Sequence, residues 1–469
     1  MLAGAVGLIL LVRAYGETLQ APLPEAAPPG EAKVAASGDT LLHVLLALAA
    51  ILVCGRVLGR LFALFNQPPV IGEIVAGILL GPSFLGRVAP EVYAYLLPHS
   101  VTPFLGMIAQ LGVILYLFVV GLELNAGLLR ERAHSTVAIS HASIVLPFVL
   151  GVVLALDLYP RLSSSDVTFT SFALFLGVAM SITAFPVLAR ILTDRRLSHT
   201  RLGTVALTCA AADDVTAWCL LAVVVGVAKA SVGQSLLVLA GTAAYIAFMF
   251  LVVRPLASRL AQRCETRLTQ GQVVMVFVAL LASTLATEFI GIHALFGAFL
   301  LGAVIPHDSL LARGLTRRLK DVVTVLFLPA FFALTGTRTE IGLLAGLEQW
   351  LVCGLIIFVA VLGKFGGTLA AARLSGLRWR DASALGVLMN TRGLMELIVL
   401  NVGLELKVIS PTLFAMMVLM AIVTTMATSP ILQWLIPRPA PRGGSDRRAR
   451  ATGLFRMSAL PEPPGRQRP

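Results

Sequence analysis

Six ionisable residues of this chain stand inside long apolar runs, and they are where chemistry is expected. Asp213 and Asp214 are adjacent in TCAAADDVTAWCLLAVVVGV, Lys364 lies in LIIFVAVLGKFGGTLAAA, and Arg392 and Glu396 lie in GVLMNTRGLMELIVLNVG. Glu73 lies in PPVIGEIVAGILLGPS. An ionisable side chain deep in a membrane costs on the order of several kcal/mol, so each is a functional candidate by default. Neighbours on a helix point about 100° apart, so the two aspartates do not pinch a shared proton as a dyad from two helices would. One can face a cavity while the other faces a neighbouring helix. A helix cap or an interhelical hydrogen bond would need one aspartate, not two. Carboxylate oxygens suit a hard monovalent cation stripped of water. A carboxyl kept from bulk water also holds its proton more tightly, and can swap it for such a cation near neutral pH. Lys364 needs an acidic partner at its own depth, and a Lys–Asp pair is the obvious solution. Desolvation opposes the attraction in such a pair, which makes it marginal and open to a competing cation. A purely structural ion pair would have the same geometry.

Two of the segments around these residues read as interrupted helices. SITAFPVLARIL places Thr183 three residues before Pro186 in mid-run, and proline removes a backbone hydrogen bond and kinks a helix. MNTRGLMELIVLN places Arg392 and Gly393 inside an otherwise apolar stretch. Interrupted spans expose carbonyls and helix ends that bind ions near the bilayer midplane.

The elements that must position these residues are membrane helices. Of 469 residues, 58% are hydrophobic and 13% charged, against about 25% charged in an ordinary soluble domain. The mean hydropathy is +0.91. A spanning helix needs about 20 mostly apolar residues. The chain then offers thirteen spans, at roughly 40–65, 70–85, 102–122, 134–156, 170–190, 202–228, 233–253, 271–288, 291–306, 322–338, 345–372, 382–404 and 409–436. The runs are continuous, without the period-two alternation of a barrel. The interruptions fall in the fifth and twelfth spans and the aspartates in the sixth. A shift of seven between the interruptions fits two inverted six-helix repeats flanking a linker helix.

The net charge of +12 raises a nucleic-acid partner, but the placement of the basic residues explains it otherwise. Loops on one side of the spans carry nineteen of them and the tail eight more, whereas the opposite loops carry only Arg87, Arg161, Lys229, Arg338 and Lys407. The side rich in Lys and Arg is the cytoplasmic one. The expected layout is therefore a multi-pass protein of the cell membrane with its C-terminus in the cytoplasm and no nucleic-acid partner. Residues 1–39 read as a signal-like leader or an extra span followed by an external linker. Residues 40–436 form the membrane domain, and 437–469 a basic, disordered tail able to touch anionic lipid. Cys54, Cys209, Cys219, Cys264 and Cys353 form no metal-binding spacing.

The chain resembles the monovalent cation:proton antiporter (sodium/hydrogen exchanger) superfamily, nearest its bacterial and plant cation/proton exchangers. The matching segments are QPPVIGEIVAGILLGPS (67–83), LFVVGLELN (117–125), SITAFPVLARIL (181–192) and AADDVTAWCLLA (211–222). GIHALFGAFLLG (291–302), LFLPAFFALTGTRTEI (326–341), GKFGGTLAAARLSG (363–376) and MNTRGLMELIVLN (389–401) follow in the family's order. The resemblance implies an all-α inverted-repeat bundle in which two broken helices cross near the ion site, beside a panel that mediates dimerisation. It implies Asp214 as the carboxylate that carries cation and proton, and Asp213 as its neighbour, salt-bridged to Lys364. Thr183 would help to ligate or orient. Arg392 and Glu396 would balance opposed half-helix ends. Aspartate at 213, where some relatives carry Asn, resembles the electrogenic type. Asn125 departs from the Asp that many relatives carry, and His293 reads as a packed motif residue rather than a proton sensor.

The expected function is thus secondary exchange of Na+ or K+ for protons by alternating access, with no cofactor and no metal other than the transported ion. A potassium efflux channel-like transporter and a sodium-coupled solute symporter are the alternatives. No G-x-G-x-x-G following a strand supports a nucleotide-binding domain, and adjacent aspartates on one helix do not fit an intramembrane aspartyl protease.

Overall fold

The structure is a computed structural model that describes residues 2–22, 40–65, 67–98, 100–123, 133–195, 197, 200–229, 235–262 and 268–436. Its regular elements are all helices, as the continuous apolar runs require, because backbone polar groups in hydrocarbon must be satisfied within the segment. In chain order they are α1 (Leu2–Gly16), α2 (Thr40–Leu64), α3 (Pro69–Leu80), α4 (Thr102–Glu123) and α5 (Ala133–Leu162). Next come α6 (Phe169–Ser181), α7 (Phe185–Asp194), α8 (Arg201–Lys229), α9 (Ser235–Phe248), α10 (Arg254–Gln262), α11 (Gln270–Ile290) and α12 (Ala294–Val304). The remaining long helices are α13 (Leu310–Val322), α14 (Leu328–Thr337), α15 (Leu347–Val361), α16 (Gly367–Leu374), α17 (Trp379–Met389), α18 (Leu394–Glu405) and α19 (Pro411–Leu435), and short helical turns lie at Leu85–Val88, Pro90–Leu96 and Ile341–Leu343. Single π-helical turns join α9 to α10, α13 to α14 and α15 to α16.

Eleven of the helical stretches are long and apolar enough to cross a membrane, or twelve with the bent pair α17–α18 counted as one. The run expected at 291–306 is the exception, since α12 has 11 residues and rises only about 16 Å. The span expected from 322 starts earlier. Leu310–Val322 is helical, with its basic residues along an amphipathic face, and runs on into α14. Arg313, Arg317, Arg318 and Lys320 therefore sit on a helix rather than in a loop. Arg56 and Arg60 on α2 and Arg259 on α10 likewise lie on helices rather than in loops. All but the first two residues of the linker expected at 21–38, Asn125, Cys264 and the tail at 437–469 lie outside the described residues.

The helices pack as two bundles. One gathers α2, α3, α4, α11, α12 and α13–α14; the other gathers α5 to α8 and α15 to α19. Each bundle thus draws three spans from the first half of the chain and three from the second, and α9–α10 runs between them. Direct packing between the bundles is thin. The second bundle holds every buried site candidate named above.

Both interruptions are present. Between α6 and α7 the backbone is extended at Ile182 and Ala184, and Pro186 occupies the first turn of α7, where its missing N–H costs nothing. Between α17 and α18 the chain leaves the helix over residues 390–393, and the two halves are bent by 41°. Glycine at 393 lets the second break close on α7, since a Cβ there would lie 2.8 Å from Val187 Cγ2. The breaks therefore lie against each other. Ala184 N–H donates to the Thr391 carbonyl at 2.9 Å, and the Thr183 hydroxyl lies 3.2 Å from the Met389 carbonyl.

Candidate cation and proton site

The crossing of the two breaks carries the site. Asp213 and Asp214 lie near the middle of α8, 0% and 3% exposed, and their chemistry differs because their neighbours differ. Asp213 is saturated. Its Oδ2 accepts from Lys364 Nζ at 2.9 Å, from Thr183 Oγ1 at 2.9 Å and from Ser143 Oγ at 2.9 Å. Its Oδ1 accepts from Ser140 Oγ at 2.9 Å, and Ser143 Oγ lies 3.1 Å from it, its one proton shared with Oδ2 and with the Ser140 carbonyl at 2.8 Å. Lys364 Nζ also lies 2.5 Å from Thr183 Oγ1, which closes a triangle of ammonium, hydroxyl and carboxylate.

Lys364 reaches this point because of its own turn. It sits in the π-helical turn Leu362–Gly366, where an extra residue in the turn re-aims a side chain. The preceding Gly363 lets that turn close on α5, since a Cβ there would come within 2.7 Å of the Pro147 Cα. Lysine, serines and threonine converge on Asp213 from α5, the α6–α7 break and the α15–α16 turn.

Asp214 is left open. It lies near Phe185, the first residue of α7, and a helix N-terminus favours negative charge there. Its Oδ1 is buried and has no hydrogen-bond partner among the described residues. Asp214 thus keeps a buried carboxylate oxygen that no donor among the described residues holds.

Arg392 and Glu396 form a second buried pair at 3.0 Å, both 0% exposed. The guanidinium also donates to the Ala179 carbonyl at 3.1 Å and the Met180 carbonyl at 2.8 Å, at the C-terminal end of α6. Glu396 stands in the first turn of α18. A cation at a helix C-terminus and an anion at a helix N-terminus both complement the local dipoles. Thr425 of α19 holds the second break, accepting from Arg392 N–H at 2.9 Å and donating to the Arg392 carbonyl at 2.7 Å.

Five of the sequence candidates therefore meet at the crossing in two groups, Asp213, Thr183 and Lys364 in one and Arg392 with Glu396 in the other, with Asp214 beside the first. Glu73 is elsewhere, on α3 against Gly55 of α2. His293 caps α12, its Nδ1 accepting from Leu295 N–H at 3.4 Å. Ser140, Ser143 and Thr425 were not among the candidates. The one sequence signal for the serines is their spacing of three, which puts both hydroxyls on one face of α5.

A sodium/hydrogen exchanger transmembrane family model matches residues 37–436. The chain belongs to the sodium/hydrogen exchanger family. It is 44% identical over 406 residues to a Na+/H+ antiporter of Synechocystis sp., covering 86% of this chain and 99% of that protein. It is 40% identical over 409 residues to a cation/H+ antiporter of Arabidopsis thaliana, covering 84% of this chain but 48% of the relative. The exchanger chain thus spans nearly all of the cyanobacterial relative and about half the length of the plant one. The solved sodium proton antiporter MjNhaP1 of Methanocaldococcus jannaschii has the same fold, with a TM-score of 0.62 at 16% identity over 84% of this chain and 96% of that one. As an exchanger, this protein is a multi-pass membrane protein.

Proposed function

We propose that the protein exchanges a monovalent cation, Na+ or K+, for protons across a membrane, with Asp214 as the carboxylate that carries both in turn. The observation that carries this reading is the unpartnered, buried Oδ1 of Asp214 next to an Asp213 already saturated by lysine and hydroxyl donors. Proton and cation compete for the one open carboxylate, so the site holds one or the other and their movements are coupled. The names of the relatives, Na+/H+ and cation/H+ antiporter, fit the same reading and do not favour a channel or a solute symporter. No covalent chemistry is required.

In this account Lys364 and Thr183 hold Asp213, while Arg392 and Glu396 hold the two broken helices at fixed distance. A cation entering at Asp214 competes with Lys364 for Asp213, and loss of the lysine proton makes the cycle electrogenic. The bundle of α5 to α8 and α15 to α19 moves against the other to expose Asp214 to each side in turn. The other bundle supplies the contact between two copies in a homodimer. The protein resides in the cell membrane with residues 437–469 as a basic cytoplasmic tail, dispensable for exchange itself.

The test is transport by purified protein in lipid vesicles under an imposed pH gradient, with each cation supplied in turn. Dissipation of the gradient by Na+ or K+ is expected. A gradient indifferent to every monovalent cation overturns the reading, and sodium-dependent uptake of an organic solute replaces it with symport.

A further inference from the structure

A cavity of about 300 Å³ opens between the two bundles at the end where α4 and α12 begin and α14 and α18 end. Val113, Phe331 and Leu334 line it from the first bundle and Ile398 and Val402 from the second. Neither Asp213 nor Asp214 reaches it. Four polar contacts cross from one bundle to the other along its wall. Arg338, the C-cap residue of α14, donates from Nη1 to Asn401 Oδ1 at 2.9 Å and to Glu405 Oε1 at 3.2 Å. Asn401 Nδ2 donates back to Thr335 Oγ1 of α14 at 2.9 Å. Gln110 of α4 donates from Nε2 to Glu405 Oε2 at 3.2 Å.

These contacts join bundles that otherwise touch little, and they join the moving side through α18 itself. That helix is the second half of a broken span and begins beside Arg392 and Glu396 at the site. Asn401 is 5% exposed, and each of its side-chain atoms has a partner on the chain, so separation of the bundles breaks a satisfied buried group. Arg338 and Glu405 are about one-third exposed, so water can replace their partners once the bundles part. A group that is buried at its centre and hydratable at its rim has the makings of a reversible closure.

We propose that Arg338, Asn401, Glu405 and Gln110 form the gate of the exchange reaction on this face, holding the bundles together whenever Asp214 is closed to it. The inference rests on the exchange reading above. With the orientation given by the basic loops, the gate faces outward. Breaking it raises the population open to that face, and the apparent affinity of a ligand rises in proportion to the competent fraction.

The experiment compares Arg338→Gln and Glu405→Gln with the parent chain in right-side-out and everted vesicles, reading the apparent KM for sodium at each face. Both variants sever the same contact but change the local charge in opposite senses. The gate predicts that both lower KM at the cavity face by about three- to tenfold and leave the other face no lower. KM shifts of opposite sign in the two variants reveal a surface field instead, and equal or absent shifts at the two faces overturn the gate. If either variant does not fold, Gln110→Ala on the exposed rim predicts the same direction with a smaller size. Labelling of Val113→Cys by an impermeant maleimide reads opening without transport. It is faster when Arg338→Gln is added, and an unchanged rate contradicts the gate. A parent chain that moves no protons in either preparation sinks the exchange reading itself, while the labelling still judges the gate.

Discussion

Lys364 Nζ lies 2.9 Å from Asp213 Oδ2, and neither side chain is exposed to any solvent. Each charge is tolerable there only because of the other, with Thr183, Ser140 and Ser143 satisfying what remains. A buried pair of this kind contributes little net stability, yet removing one partner is costly because the other is left charged and unpaired.

Replacing Lys364 by Ala is therefore expected to destabilise the protein by about 3–5 kcal/mol. Thermal melting in detergent reads this directly. An unchanged melting temperature would mean that the pair contributes nothing to the fold.

The serines should matter less, and unequally. Ser143→Ala removes a donor to both Asp213 oxygens and is expected to cost about 1–3 kcal/mol, with Ser140→Ala at the lower end. Ser163 is the control, since its hydroxyl is buried with no hydrogen-bond partner among the described residues. Ser163→Ala should melt within a degree or two of the parent, about 0.5 kcal/mol or less. Equal losses at 143 and 163 would show that the Asp213 contacts are not special.

Much of this arrangement was legible from the chain. Apolar length marked the spans, and Pro186 and the Arg392–Gly393 pair marked the breaks, because a proline or a charge in mid-span conflicts with an uninterrupted helix. The serines were not legible. A hydroxyl on an apolar helix usually bonds its own preceding turn, as Thr216, Thr242, Thr335 and Thr339 do, and apart from their spacing of three nothing in sequence separates Ser140 or Ser143 from these. Spacing alone also left the partner of Lys364 open between two adjacent aspartates. That choice depends on the π-helical turn at Leu362–Gly366, a local register that hydropathy does not reveal. The length of α13 was missed for a related reason, since its basic amphipathic face reads as a loop when only apolar windows are counted.

Charge movement offers a separate prediction. With Asp213 paired to Lys364, the cycle is expected to carry net charge and to respond to membrane potential. Asp213→Asn, where it still transports, should move toward electroneutral exchange, because an amide holds no charge against the ammonium. The readout is sodium-driven proton flux in vesicles whose potential is clamped by potassium and valinomycin, together with the proton-to-cation ratio. A ratio of one in the parent chain would contradict electrogenic exchange.

The central claim is that Asp214 carries the ion. Its most direct test is cation-driven proton flux by Asp214→Asn in vesicles, measured beside the parent chain at equal incorporation and with melting temperatures compared. The substitution keeps the shape of the side chain, so folding is expected to survive. The account predicts a folded protein with no exchange for Na+ or K+ at any pH. Parent-like exchange by a folded Asp214→Asn protein would contradict it.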